Sequence, residues 1–141
     1  MASNEAEVMQ RSGENHRSEP VTLIWDGILL LSLNGILDSS RSQNVMDSML
    51  SEIARTRSRV FILDILGVEA VDTAVANHLI KIVQASALLG CRCVISGISP
   101  SVAQALVQLG IPLSDIVTRA TIRDALAHGF ELLEVEVVEK A

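Results

Sequence analysis

Val60-Phe61-Ile62-Leu63-Asp64-Ile65-Leu66 is a nearly unbroken apolar run that leads through Gly67-Val68-Glu69-Ala70-Val71 into Asp72-Thr73-Ala74-Val75-Ala76-Asn77-His78-Leu79. So short a run, bounded by glycine, suits a strand covered on both faces in the middle of a sheet. The period then changes. A helix is predicted from about Thr73 to Leu89, capped at its start by Asp72 or Thr73 and stopped by Gly90, where a left-handed residue costs least. A buried strand running into a helix is the repeating unit of a parallel sheet with right-handed crossovers.

Upstream, Val21 to Trp25 and Ile28 to Leu33 flank Asp26-Gly27, the two-residue signature of a tight hairpin, so the first two strands pair antiparallel. From about Ser40 to Arg57, Val45, Met46, Met49, Leu50, Ile53 and Ala54 fall on one helical stripe, with Asp38 or Ser39 as the cap. Downstream, Cys91 to Ser96 reads as a strand. Ser99-Pro100 opens a helix that ends at Gly110, with proline at the first position, where an N–H would be unpaired. Ile116-Val117-Thr118 is a short last strand, and Thr121 to Asp124 forms a capping box for a final helix toward Leu133.

The order β-β-α-β-α-β-α-β-α predicts an α/β domain over residues 21–133: a mixed central sheet of about five strands with an N-terminal antiparallel hairpin and about four helices. Residues 1–20 hold, besides Met1, only Val8 and Met9 as large aliphatics, too little to offset the entropy of ordering, and are expected to form a flexible polar tail. Residues 134–141 read as an acidic C-terminal tail.

The 141 residues are 49% hydrophobic, enough for one core. Lys and Arg number 11 against 17 Asp and Glu, a net charge of -6, which disfavours a sequence-independent grip on phosphate backbones. Trp25, Phe61 and Phe130 are the only aromatics, so base stacking has little to work with and no nucleic-acid partner is expected. No apolar run reaches the roughly 18 residues of a membrane span, and the start lacks a basic segment followed by an apolar one. Cys91 and Cys93 are spaced to share one strand face rather than to staple a loop framework, which fits a reducing compartment. A cytoplasmic protein without membrane association is the expectation.

The usual catalytic sets are missing: no phosphate loop ending in Lys and Ser/Thr, no G-x-S-x-G elbow, no dinucleotide fingerprint. His16, His78 and His128 are scattered without i, i+4 partners, so neither a metal nor a cofactor is expected. Asp64 lies where a phosphoaspartate receiver would carry its acceptor. Such a receiver also needs acidic residues after the first strand and a late lysine, whereas the first strand here ends in a hairpin and the lysines are Lys81 and Lys140. Cys91 and Cys93 read as two small core residues, the alternative being a small-ligand or redox module built on them. Thr73 has two readings: it caps its helix, or it presents a hydroxyl where outward N–H groups and the helix dipole favour an anion.

From Val21 to about Gly129 the chain resembles STAS domains, and specifically the C-terminal domain of RsbR-type stressosome proteins. The resemblance rests on Gly35-Ile36-Leu37-Asp38-Ser39, on Phe61 to Val68, on Gly97-Ile98-Ser99-Pro100 with Val102-Ala103-Gln104, on Gln108-Leu109-Gly110-Ile111, and above all on Val71 to Leu79. It implies a non-enzymatic scaffold and phosphoswitch. Thr73 would be phosphorylated by an RsbT-like serine/threonine kinase, which the domain sequesters and releases in stress signalling. The implied partners are that kinase, an RsbS-like STAS protein and further copies of the chain, with Asp38, Ser39, Asp64 and Asp72 as partner-binding residues near the phosphosite. A monomeric anti-sigma-factor antagonist is the alternative on the same fold. The second threonine that such relatives carry after Ala-Gln is Ala105 here, so a single switch position is expected. They also carry a sensory domain ahead of the STAS domain, for which twenty polar residues are too few. A relative lacking the sensor, a piece of a longer chain, and a role like that of RsbS all fit.

Overall fold

The structure, a computed structural model, describes residues 19–69, 71–110 and 116–140. Most of the expected N-terminal tail therefore lies outside the described residues. Strands β1 (Thr22–Trp25), β2 (Ile28–Gly35), β3 (Val60–Val68), β4 (Arg92–Ser96) and β5 (Val117–Arg119) alternate after the hairpin with helices α1 (Ser39–Thr56), α2 (Thr73–Leu88), α3 (Pro100–Gln108) and α4 (Ile122–Leu132). The sheet order is β1-β2-β3-β4-β5, with β1 antiparallel to β2 and β2, β3, β4 and β5 mutually parallel. Among the described residues the expected mixed five-stranded sheet and four helices are what forms.

Sequential strand order with right-handed crossovers puts the intervening helices on one face. Val45, Met49 and Ile53 of α1, Val75, Leu79 and Ile82 of α2 and Val102 and Leu106 of α3 pack there on Leu29, Leu31, Leu33, Phe61, Leu63 and Ile95. The chain passes to the other face only after β5. There Ala125, Leu126 and Phe130 of α4 cover Ile28, Val60, Ile62 and Val94, and Phe130 meets Trp25 edge-on with ring centroids 5.1 Å apart. Strand β3 supplies both cores, as its unbroken apolar run requires.

β2 runs further than the hydrophobic pattern suggests. Asn34 and Gly35, a turn signal by composition, pair instead with Gly67 and Val68 after a register shift past Ser32. The ladder to β3 outweighs local turn preference. β5 starts one residue later than expected and includes Arg119. The last regular residue is Leu132, and residues 135–140 carry no regular structure.

Candidate functional site

Each parallel strand ends at the same edge of the sheet and hands over there to a helix, so the starts of α1 to α4 gather at one end of the domain. Each is capped by a side chain: Asp38, Asp72, Ser99 and Thr121 accept from the backbone N–H groups of Arg41, Val75, Val102 and Asp124. Two cross-links tie the loops between them. The Glu69 N–H donates to the Gly35 carbonyl at 2.9 Å, and that of Gly97 to Ala120 at 3.2 Å.

Asp72, not Thr73, caps α2. Its Oδ1 accepts the Val75 N–H at 2.9 Å while its carbonyl accepts that of Ala76 at 2.9 Å. Thr73 is the first helical residue, it is exposed, and among the described residues its hydroxyl enters no hydrogen bond. An oxygen at that position stands beside the outward N–H groups of the first turn, where negative charge is stabilised. Asp38 and Ser39 repeat the arrangement on α1: Asp38 caps through Oδ1 to the Arg41 N–H at 2.8 Å, and Ser39 follows at the first helical position. Asp38, Ser39 and Asp72 are all exposed.

Asp64 differs from these. Strand alternation places it on the α4 face, in a lateral row with Ser32, Ser96 and Arg119 on the neighbouring strands. It is 8% exposed and accepts from the Ser96 hydroxyl at 2.8 Å. It is thus nearly closed off from solvent, unlike the exposed Asp38, Ser39 and Asp72 with which it is named as a partner-binding residue. Exposed apolar surface at the same end comes instead from Ile36 and Leu66, 69% and 71% exposed. Leu66 stands beside Gly97, whose φ of +78° and packing leave no room for a side chain: a Cβ there would lie 2.6 Å from the Leu66 backbone nitrogen and 2.7 Å from Asp64 Oδ1.

Arg41 is the residue that sequence reasoning passed over. Its guanidinium donates to the carbonyls of Asn34 and Ile36 and pairs with Glu19 at 2.8 Å, fixing the β2–α1 loop on which Asp38 and Ser39 stand. An arginine early in a helix carries no signature of this kind, because its partners are backbone carbonyls of a loop.

Cys91 and Cys93 line a cleft of about 380 Å³ between α2, β4 and β5, with Val83, Ala87 and Val117. Both are free and buried. Burial pushes the Cys91 thiol up to about 12; burial, and secondarily the charge of Cys91, raises Cys93 further. Thiols so held are poor nucleophiles at neutral pH. Among the described residues no group of His, Cys, Asp and Glu side chains is arranged to hold a metal ion, and no helix is long and apolar enough to cross a membrane.

A mixed sheet opened by a hairpin, with an Asp-Thr helix start at the loop end, defines the class, and the STAS domain model matches residues 19–125. The chain belongs to the STAS domain family. Within it, the chain is 33% identical over 130 residues to the RsbT co-antagonist protein RsbRA of Bacillus subtilis (strain 168), covering 92% of this chain and 47% of that protein. It is 37% identical over 126 residues to RsbRD of the same organism, covering 89% and 45%. The chain thus spans about half the length of these relatives. Among solved structures, an RsbS variant of Moorella thermoacetica superposes with a TM-score of 0.71 at 27% identity, covering 84% of this chain and all of that one. A chain of the stressosome superposes with a TM-score of 0.68 at 24% identity, a likeness of fold.

Proposed function

We propose that this chain is a non-enzymatic stressosome scaffold of RsbR type, whose docking surface at the loop end is switched by phosphorylation of Thr73 by an RsbT-like serine/threonine kinase. In this reading the unmodified domain assembles with RsbS-like STAS partners and with its own copies and holds the kinase. The modified domain releases it. The observation that carries the reading is the division of labour at the start of α2: Asp72 performs the capping, which leaves the exposed Thr73 hydroxyl without a structural duty. The names of the relatives, RsbT co-antagonists, supply the kinase class.

The magnitudes favour a switch of binding over a switch of fold. A phosphate adds about -1.5 to -2 charges, and at a helix start the dipole is worth about 0.3–2 kcal/mol, in the stabilising direction and small against the 5–15 kcal/mol of a typical domain. At an interface the same charge, beside Asp72 and with Asp38 on the adjoining helix start, meets an acidic or desolvated partner surface at a cost of about 2–5 kcal/mol. Ile36 and Leu66 supply the apolar area that a docked kinase would cover.

The test is incubation of the full chain with an RsbT-like kinase and ATP, followed by intact mass and fragment mapping. One phosphate is expected, lost in Thr73→Ala. Phosphate on any other residue, or none, overturns the assignment. Mass photometry with an RsbS-like partner should show large assemblies, and small species alone would support the monomeric antagonist instead.

A further inference from the structure

The end of the domain opposite Thr73 is built differently. There the parallel strands begin and α1, α2 and α4 finish, and three arginines stand together: Arg57 at the left-handed C-cap of α1, Arg59 just before β3, and Arg92 at the start of β4, whose N–H donates to the Arg59 carbonyl at 2.8 Å. All three are exposed. Among the described residues none has a carboxylate within ion-pair distance, whereas the neighbouring Arg55 is already engaged by Glu52 at 2.7 Å. In a chain of net charge -6 this is a local cluster of guanidinium groups, sharing its end of the domain with the exposed Asp26 of the hairpin turn, whose neighbour Gly27 accepts the Arg59 N–H at 3.0 Å. A groove of about 160 Å³ runs through it, lined by Arg59, Val60, Gly90, Arg92, Leu132 and Leu133. Leu88 and Leu89, 87% and 48% exposed, extend its apolar wall beyond Gly90.

The segment that leaves this groove has the complementary chemistry. After Leu133 the chain turns through Glu134, in the left-handed region with φ 57°, and the Val135 N–H closes back on the Phe130 carbonyl at 2.9 Å. Beyond it Glu136, Val137, Val138 and Glu139 are exposed and without regular structure. Glutamates thus alternate with valines over a stretch that, extended at about 3.3 Å per residue, spans some 20 Å. In the structure none of its carboxylates lies within ion-pair distance of the three arginines.

We infer that the groove between Arg59 and Arg92 is a docking site for the acidic Val-Glu segment 134–139 of a second copy of this chain. Charge complementarity selects this occupant: guanidinium groups meet carboxylates, and Leu88, Leu89 and Leu132 meet the valines. Leu133 belongs both to the groove wall and to the root of the segment. Two copies exchanging segments about a two-fold axis therefore use the same patch twice and close as a dimer. The contact gives the self-association in the proposed function a location, yet it does not depend on Thr73.

Sedimentation equilibrium of the full chain at low salt is the experiment, repeated at about 0.5 M salt, where screening shortens the reach of charges to a few ångströms. Self-association at low salt, weakened by salt, is expected. Arg59→Glu/Arg92→Glu should weaken it at least about tenfold, as should Glu136→Lys/Glu139→Lys. Because each reversed variant presents like charges to itself and opposite charges to the other, an equimolar mixture should associate again. A wild-type chain that stays single at low salt, an arginine variant that associates as well as wild type, or a mixture that restores nothing would each sink the assignment. Far-UV circular dichroism of each variant separates loss of contact from loss of fold. Since the kinase assay on Thr73 reads a different end of the molecule, failure of one reading is distinguishable from failure of the other.

Discussion

Among the described residues the side chain of Asp64 has a single hydrogen-bond partner in a nearly closed setting, the Ser96 hydroxyl at 2.8 Å, and a buried polar group deprived of its partner incurs the full desolvation penalty. Ser96→Ala is therefore expected to lower unfolding free energy by about 1–3 kcal/mol, read from urea midpoints at constant slope. Gly97→Ala should do at least as much, because its added carbon meets both a backbone nitrogen and Asp64 Oδ1 in a φ region that alanine avoids. An unchanged midpoint in both variants would mean that this corner is loosely packed. The cysteines make a prediction about pH. With Cys91 held near 12 and an unfolded thiol near 8.5, the native state keeps its proton while the unfolded state loses one. The contribution to stability is complete below the unfolded value and declines as pH rises toward about 12. Thiol labelling of the native protein should correspondingly be slow at neutral pH and accelerate about tenfold per pH unit; fast labelling of either cysteine near pH 7 would revive a redox role for the cleft.

Among the elements, α2 separates structural from regulatory duty. Asp72→Ala removes the cap and should cost about 0.5–2 kcal/mol, while Asp72→Asn keeps an acceptor and should stay within a few tenths. Thr73→Ala, at an exposed first-turn position, should fall within about 0.5 kcal/mol of wild type, which makes it a clean variant for the kinase assay. A Thr73→Ala variant as unstable as Asp72→Ala would return the threonine to the role of cap. The caps, the Asp26-Gly27 hairpin and the two-faced burial of β3 were legible in the sequence because each is specified by residues within one turn or one strand. What was not legible depends on register between strands far apart in the chain. The shift past Ser32 that seats Asn34 against Gly67, the anchoring of the β2–α1 loop by Arg41, and the lateral row that turns Asp64 under α4 have no local signature. Asp64 was placed correctly along its strand, but only the pairing with Ser32 and Ser96 fixes how little of it faces solvent.

At the scale of the whole molecule, the two cores share β3, so each face is built on the back of the other. Phe61 and Leu63 point into the larger core and Val60 and Ile62 into the smaller, and loosening one side removes the surface on which the other is built. A single cooperative transition follows. Trp25, the only tryptophan, reports on the α4 face through its contact with Phe130, and Ile82, fully buried, lies on the opposite face in α2. Ile82→Ala should lower stability by about 2–5 kcal/mol and shift the Trp25 fluorescence and far-UV circular dichroism midpoints together, although the substitution and the probe are separated by the sheet. Were the fluorescence midpoint to stay in place while the dichroism moved, α4 and its strand face would be melting on their own. A phosphate at Thr73, which touches neither core, should leave both midpoints within a few degrees of wild type, so that any loss of partner binding on phosphorylation reads the surface and not the fold.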